Sequence, residues 1–383
     1  IGQVTMVHPV PRAAYVHVPF CRHRCGYCNF TLVAGRDDLV DDYLRAIAIE
    51  LRALDHPREV DTLFFGGGTP THLAPAALEK LLEIVRAWFP LSAGGEFSVE
   101  ANPLDVTDEK VSLLAAAGVN RLSLGGQSFD AAKLALLERD HDAAQLRRAF
   151  ALARRQMRSV SLDLIFGTPG DTLENWRLDL AAALALAPDH VSTYGLTFEQ
   201  GTPFWNRLEA GELARLDEET ERAMYELAID TLAAAGFEHY EVSNFARPGH
   251  RCRHNEVYWS GEPYFAVGPG AARYVDGRRE TNHRSTTTWL NRVLAGNSGV
   301  AESEALAPED RAREFLVFAL RRLEGIDRGH FAERTGFDVD RLVGEPLERM
   351  VALDLLQDDG RRIKLSRQGL FVSDSIWPHF LRR

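Results

Sequence analysis

The stretch RAAYVHVPFCRHRCGYCNF, residues 12–30, places three cysteines directly after a short β-branched and aromatic run. The run itself, AAYVHV at 13–18, has the composition of a buried strand. The cysteines that follow, Cys21, Cys25 and Cys28, have the spacing C-x3-C-x2-C. We therefore expect a strand that ends in a cysteine-bearing loop, and the pattern of the remaining chain indicates the fold around it.

The alternation of a short strand with a longer helix continues to about residue 245. Further strand-like runs occupy 61–66, 96–101, 121–126, 159–167 and 190–196, and Ala- and Leu-rich stretches such as 37–54, 74–89, 173–187 and 217–235 have helical spacing. Strands that alternate with helices indicate parallel strands joined by crossover helices. We predict an α/β fold in which residues 1–245 form a partial (β/α)6 TIM-like barrel.

The remainder of the chain has a different texture. Residues 246–285 are dense in aromatic residues, Gly and Pro, and they predict a linking segment of loops and short strands. Residues 286–383 contain helical stretches at 287–296, 308–322, 328–335 and 339–353, followed by a hairpin pattern with its turn at 358–360. We predict that this last part is a mainly helical, winged-helix-like C-terminal domain.

Composition limits the class of protein. With 45% hydrophobic and 26% charged residues, the chain has the composition of a globular protein rather than of a disordered one. Its formal net charge of −11 argues against non-specific nucleic-acid binding, and it favours a packing role for the winged-helix-like part. Four cysteines exclude a disulfide-rich secreted scaffold. We find neither a transmembrane stretch nor a signal peptide in the first sixteen residues, and we expect a cytoplasmic location.

The cysteine loop is a candidate metal centre. Loops that follow barrel strands lie at the face where such folds build their active sites. Three thiolates can hold three irons of a [4Fe–4S] cluster and leave the fourth iron free for a ligand. Two alternatives remain open, a zinc site with His23 as fourth ligand and a set of ordinary reduced thiols.

Polar and glycine-rich positions follow the other predicted strands. FFGGGTPTHL at 64–73 lacks the Walker A pattern, but its glycines would let a ligand approach the backbone. Glu100, Gln127 and Asp163 come at the ends of the third and fourth strands and within the fifth. We expect them to converge on one pocket, where carboxylates suit an ammonium group or ribose hydroxyls. The alternative for each is a buried polar residue satisfied by backbone amides.

These motifs together resemble the radical S-adenosylmethionine superfamily, in the branch that contains oxygen-independent coproporphyrinogen III oxidase and its haem-chaperone relatives. The resemblance rests on YVHVPFCRHRCGYC, GGGTPT, EANP, GGQSF, DLIFGTPG and HNEVYW, and it covers nearly the whole chain. It implies that Cys21, Cys25 and Cys28 hold a [4Fe–4S] cluster whose fourth iron binds S-adenosylmethionine. It further implies that the S-adenosylmethionine site includes Tyr15, Tyr27, Gly67, Gly68, Thr69, Glu100, Gln127, Arg139, Asp163 and Thr197. Gly126 and Glu138 depart from the family pattern, which usually has a β-branched residue and a glycine there.

Within this branch, three features favour the chaperone group. The oxidase loop ends in C-x2-C-x-C, whereas Phe30 stands at the last position here. Only fourteen residues precede Tyr15, fewer than the extension that the oxidase carries. The stretch RHNEVYW at 253–259 resembles the H-N-x-x-Y-W motif typical of the chaperones.

The resemblance therefore implies that haem is bound as cargo and delivered to respiratory haem proteins, with possible peripheral membrane association. His254 would ligate the haem iron, and Tyr258 and Trp259 would stack on the porphyrin. In the alternative interpretation, His254 and Asn255 fix a loop by hydrogen bonds beside an aromatic core. Cys252 is expected to be an ordinary thiol, with a haem thiolate as its alternative.

Three rival functions remain open at this stage. The first is oxidative decarboxylation of coproporphyrinogen III through a 5′-deoxyadenosyl radical. The second is methylation or cyclopropanation of another substrate by a relative of the same branch. The third is structural, a zinc-bound barrel with a winged-helix interaction domain. The sequence leaves the oligomeric state open.

Overall fold

The computed structural model describes residues 9–382. Residues 1–8, which are half of the sixteen in which we found no signal peptide, therefore lie outside the described residues. The strands are β1 Ala13–Val18, β2 Phe20–Cys21, β3 Val33–Ala34, β4 Val60–Gly67, β5 Leu91–Ala101, β6 Arg121–Gln127, β7 Ser159–Phe166, β8 His190–Gly195, β9 Glu238–Glu241, β10 Asn244–Ala246, β11 Phe265–Val267, β12 Ala272–Val275, β13 Arg278–Asn282, β14 Val300–Glu304, β15 Ile326–Asp327, β16 Leu356–Asp358 and β17 Arg362–Leu365.

The helices alternate with these strands in the first two thirds of the chain. They are α1 Val40–Arg52, α2 Pro75–Trp88, α3 Asp108–Ala116, α4 Ala131–Leu136, α5 Ala143–Arg154, α6 Leu173–Leu184, α7 Pro203–Glu209, α8 Glu218–Ala234, α9 Arg253–Trp259, α10 Thr286–Leu294, α11 Pro308–Arg321, α12 Arg328–Thr335, α13 Val339–Ala352, α14 Arg367–Phe371 and α15 Ser373–Ile376. Short 3-10 turns lie at Asp37–Leu39, Pro70–His72, Pro103–Asp105 and Trp377–His379. Side-chain caps explain several starts, because Thr107, Asp142 and Thr172 each accept a backbone N–H of the first helical turn.

A nine-stranded sheet forms the centre of the fold, in the order β11-β1-β4-β5-β6-β7-β8-β10-β9. The strands from β11 to β8 are parallel, and β10 and β9 are antiparallel to their neighbours. From β1 to β8 the sheet follows chain order without a reversal, as in a barrel-like winding rather than a doubly wound sheet. The six predicted barrel strands and their crossover helices are therefore confirmed.

The segment 246–285 contributes more regular structure than its sequence indicates. Residues 265–267 form β11, which extends the sheet beyond β1 through the pair Ala14 and Phe265. The prediction of loops and short strands is wrong for RHNEVYW, which forms the helix α9. Strands β12, β13 and β14 form a separate three-stranded sheet that spans residues 272–304.

The C-terminal region has a hydrophobic core of its own. Side chains of α11, α12 and α13 pack there with the three-stranded sheet β15-β17-β16. The order of one helix, one strand, two helices and a hairpin agrees with the predicted winged-helix-like arrangement. The division of the chain at residues 245 and 285 remains a prediction.

Candidate functional site

The three cysteines of the loop after β1 line one cavity of about 650 Å³, which we call the cysteine cavity. Cys21 ends β2 and pairs with Ala34 of β3, which fixes the first thiol at the edge of this small ribbon. The amide of Cys28 donates to the carbonyl of Cys25 at 3.0 Å, so the second and third thiols lie on one tight turn. Cys21 Sγ lies 3.3 Å from Thr69 Oγ1, which ties the thiol to the segment after β4.

Most of the residues predicted for the S-adenosylmethionine site line this cavity. The described residues on its wall include Tyr27, Gly67, Gly68, Thr69, Glu100, Gln127, Arg139, Asp163 and Thr197 besides the three cysteines. Their strands run in parallel, so the carboxyl ends meet at one edge of the sheet and bring these side chains together. Tyr15 lies on β1 but lines a neighbouring cavity instead, with its hydroxyl 3.1 Å from Nδ1 of His17.

Two acidic residues, Glu100 and Asp163, line the cysteine cavity. Glu100 accepts the Gly67 amide at 3.0 Å, and Ser123 donates to Asp163 at 3.1 Å. Burial, and then the negative charge of Asp163, raise the pKa of Glu100 to about 8. Burial also raises the pKa of Asp163, although hydrogen bonds from Ser192 and Ser123 oppose the shift. The pair therefore suits a ligand that brings hydroxyl groups or a positive charge.

Arg139 places a guanidinium beside the thiols. Its Nη1 donates to Cys25 Sγ at 3.7 Å and its Nη2 to the Gly125 carbonyl at 2.9 Å. The Nε is buried and has no hydrogen-bond partner among residues 9–382. Glu138, which precedes it, has a φ of 54°, and this explains why a glycine is typical of the family at that position.

Glycines at the carboxyl ends of β4 and β6 make room for protein groups. A Cβ at Gly67, which has a φ of 109°, would lie 2.4 Å from the His17 ring. A Cβ at Gly68 would lie 2.8 Å from the backbone of Pro19, and one at Gly126 would lie 2.8 Å from Leu146. The sequence analysis explained these glycines by a ligand that approaches the backbone. The structure shows a second reason, which is that the glycines allow β1, the cysteine loop and α5 to pack closely against them.

The donor set fits an iron–sulfur cluster better than a single zinc ion. Among residues 9–382, no three His, Cys, Asp or Glu side chains converge closely enough to hold one metal ion. His23, the candidate fourth zinc ligand, uses Nε2 to donate to the Glu138 carbonyl at 2.5 Å. Three thiols spread around one cavity match a larger group with one thiolate for each of three irons.

A second cavity of about 650 Å³ adjoins the first, and we call it the aromatic cavity. Its wall includes Tyr15, Phe30, Tyr258, Trp259, Tyr264, Tyr274, Phe315 and Phe318. Asn29, Phe30, Gly67, Glu100 and Arg284 line both cavities, so the two spaces share one wall. Sequence patterns did not single out Arg284, because it lies near the end of the linking segment and belongs to no motif.

The structure places His254, which was predicted to ligate haem iron, inside the protein and not on the wall of the aromatic cavity. Its side chain is buried, with Thr62 Oγ1 2.9 Å from Nδ1 and the Tyr258 hydroxyl 2.8 Å from Nε2. The ring also stacks on Phe64 at 5.1 Å. Burial lowers the pKa of His254 to about 3, so the ring is neutral and both nitrogens are occupied. The alternative interpretation, a hydrogen bonder beside an aromatic core, agrees with this geometry.

Cys252 lies away from both cavities. Its buried Sγ is 3.6 Å from Glu96 Oε1, and burial raises its pKa to about 12. Glu96 also accepts the amides of Arg253 and His254 at 3.1 and 3.2 Å, which satisfies the first turn of α9. Through this cap, β5 holds the helix that brings Tyr258 and Trp259 to the aromatic cavity.

Over the described residues, no helix is long and apolar enough to cross a membrane.

Known proteins resemble this chain over nearly its whole length. The radical SAM superfamily model matches residues 15–182, and the HemN C-terminal domain model matches residues 306–372. The heme chaperone HemW of Bacillus subtilis is 35% identical over 375 residues, which are 97% of this chain and 99% of that protein. Heme chaperone HemW of Mycobacterium tuberculosis is 37% identical, over 96% of this chain and 94% of that one.

A mitochondrial relative and a solved structure extend the comparison. Radical S-adenosyl methionine domain-containing protein 1 of Mus musculus is 36% identical over 95% of this chain and 86% of its own length. The structure of coproporphyrinogen III oxidase (HemN) from Escherichia coli has a TM-score of 0.85, with 23% identity, over 97% of this chain and 90% of that chain. That likeness shows a shared fold. By its similarity to these relatives, this chain belongs to the HemW family of the radical S-adenosylmethionine superfamily.

Proposed function

We propose that this chain is a haem chaperone that binds haem in the aromatic cavity and delivers it to respiratory haem proteins. The observation that carries the proposal is the shared wall between a thiol-lined cavity and an aromatic one. The names of the HemW relatives support the same function. A cytoplasmic location with peripheral membrane association, and the three-part division at 245 and 285, belong to this proposal.

The aromatic cavity suits a flat apolar cargo. Its volume lies within the range of small-molecule and cofactor pockets, and its aromatic rings offer large faces for stacking. Trp259 lines this cavity, and its buried Nε1 has no hydrogen-bond partner in the described part of the chain. Because this nitrogen is shielded from solvent, a ligand in the cavity would contact the indole ring rather than its N–H.

The cysteine cavity suits a [4Fe–4S] cluster with S-adenosylmethionine. Cys21, Cys25 and Cys28 would hold the cluster, which supplies an iron site open to the amino and carboxylate groups of S-adenosylmethionine. Arg139 would keep positive charge beside Cys25 and favour its thiolate form. Glu100 and Asp163 would receive hydroxyl or ammonium groups of the ligand, and Tyr27 and Thr197 would complete the wall.

Phe30 favours the chaperone over coproporphyrinogen III oxidation. It occupies the position where the oxidase pattern has a fourth cysteine, and its side chain is 62% exposed at the rim of both cavities. A phenyl ring cannot ligate iron, so this position adds apolar surface for a cargo instead. The fold shared with the oxidase fits either function.

Haem titration and transfer test the proposal. Anaerobically reconstituted chain is titrated with haem, followed by its absorbance, and then mixed with a haem-free respiratory cytochrome. We expect saturable binding and transfer, with weaker binding by Trp259→Leu and wild-type binding by Trp88→Leu, a tryptophan at the end of α2. Equal binding by all three proteins, or no transfer, would refute the proposal.

A second assay separates the oxidase. The same protein is incubated with dithionite, S-adenosylmethionine and coproporphyrinogen III, and protoporphyrinogen and 5′-deoxyadenosine are quantified together. We expect no protoporphyrinogen above the protein-free control, in samples whose iron and sulfide content shows a full cluster. Protoporphyrinogen well above that control would identify an oxidase.

A further inference from the structure

Arg284 is a cation at the junction of the two cavities. It lines both of them, and its Nη2 donates to the carbonyl of Asn29 at 2.7 Å. Within the described residues it has no acidic partner within ion-pair distance. Its other guanidinium hydrogens are therefore free to meet a ligand that carries negative charge.

The other charged groups of the aromatic cavity are differently placed. Arg279 makes two hydrogen bonds of 2.7 Å to the carboxylate of Glu314, and Glu262 pairs with Arg334 at 2.7 Å. Glu100 binds the Gly67 amide on the wall that both cavities share. Arg284 is thus an arginine of the shared wall that has no ion-pair partner among the described residues, whereas Arg311 lines the aromatic cavity away from that wall.

We infer that Arg284 binds a carboxylate of a tetrapyrrole whose ring lies in the aromatic cavity. This inference rests on the proposed function. A haem has an apolar ring face and two propionates at one edge, and a guanidinium matches a carboxylate with two parallel hydrogen bonds. With Arg284 at the junction, the propionate edge points toward the cysteine cavity and the apolar edge toward Phe315 and Phe318.

A comparison of haem with haem dimethyl ester tests the inference, because the ester has the same ring without the two charges. Cluster-loaded wild-type protein, Arg284→Gln and Arg278→Gln are titrated with each ligand in the same solvent. Arg278 is the matched control, an arginine on β13 that donates to Ser303 at 3.0 Å and lies outside both cavities. We expect wild type and Arg278→Gln to prefer haem over the ester about tenfold, the effect of one hydrogen bond to a charged group.

For Arg284→Gln, we expect haem affinity to fall about tenfold while ester affinity stays at the wild-type value. An equal loss for both ligands would overturn the inference, because it would indicate that Arg284 only holds the Asn29 loop. An unchanged haem affinity would overturn it as well. If wild-type protein bound neither ligand, the proposed function itself would fail.

The binding of S-adenosylmethionine separates the two cavities. Equilibrium dialysis measures its affinity for wild type and Arg284→Gln, and iron content shows that both proteins carry the cluster. We expect equal S-adenosylmethionine affinities, since the inferred carboxylate belongs to the tetrapyrrole. A selective loss of S-adenosylmethionine binding with haem binding intact would assign Arg284 to the other ligand and overturn the inference.

Discussion

Glu100 is a single residue on which both cavities depend. It lines both, and it accepts the Gly67 amide while burial and Asp163 raise its pKa to about 8. The sequence predicted that Glu100 and Asp163 converge on one pocket. It did not predict that Glu100 keeps its proton near neutral pH, because that depends on burial and on a carboxylate 63 positions along the chain.

This proton predicts a pH dependence of stability. An unfolded glutamate loses its proton near its ordinary pKa of 4.5, whereas folded Glu100 keeps it to about pH 8. Between these values the unfolded state binds fewer protons, so the contribution of Glu100 to stability falls as pH rises. We expect Tm of the cluster-free wild type to fall relative to that of Glu100→Gln between pH 5 and 8. A Tm difference that is constant over this range would contradict the raised pKa.

We expect serine substitutions to have opposite effects on iron content at the three loop cysteines and at Cys252. Cys25→Ser removes a thiolate from the cysteine cavity and supplies a hydroxyl, which is a poor ligand for cluster iron. We expect reconstituted Cys25→Ser to lose most of its iron and acid-labile sulfide, whereas Cys252→Ser retains both. Full iron retention by Cys25→Ser would refute the three-cysteine assignment.

At the scale of elements, the cap of α9 ties β5 to the aromatic cavity. Glu96 accepts the amides of Arg253 and His254, so Glu96→Ala would leave buried donors without a partner. We expect urea unfolding to show a loss of about 1–2 kcal/mol, the usual size of a helix-cap loss. Glu256→Ala, on the same helix but partly exposed, should stay within about 0.5 kcal/mol of wild type. Equal losses in the two variants would mean that Glu96 is no cap.

Elements were predictable from the sequence where local pattern determines them. AAYVHV at 13–18 forms β1 with the predicted bounds, because a buried parallel strand has a continuous apolar run. RHNEVYW was missed as a helix because its cap comes from Glu96, more than 150 residues away. Short strands were expected in 246–285, but the pairing of β11 with β1 was not predicted, because the two strands are far apart in the sequence. Likewise, no local signal shows that the partners of His254 are Thr62 and Tyr258.

At the scale of the whole molecule, the aromatic cavity lies between two regions of the chain. β13 contributes Arg279 and α11 of the C-terminal region contributes Glu314, and their paired hydrogen bonds join the two regions across the cavity. The sequence motifs did not predict this contact between Arg279 and Glu314, because it depends on how the linking segment packs against the C-terminal region.

This junction predicts coupling between the two partners. We expect Arg279→Ala and Glu314→Ala each to lower haem affinity severalfold, because either change loosens the cavity wall. The double variant should lose less binding free energy for haem than the two single variants lose together. We expect a coupling energy of about 0.5–1 kcal/mol, as is usual for a partly exposed ion pair. Haem titrations of the four proteins provide the cycle, and strictly additive losses would show that the pair does not shape the cavity.

The pairing of β1 with β11 also determines when the central sheet can be completed during synthesis of the chain. The three loop cysteines are synthesised before the strand that pairs with the outer edge of β1, because that strand lies at residues 265–267. The last aromatic side chain of the aromatic cavity, Phe318, is made later still. Chains fold from the N-terminus as they emerge from the ribosome. A nascent chain therefore contains the three loop cysteines before it can form the aromatic cavity. A polypeptide that is stalled or cleaved before α11 therefore carries the three loop cysteines without a complete aromatic cavity beside them.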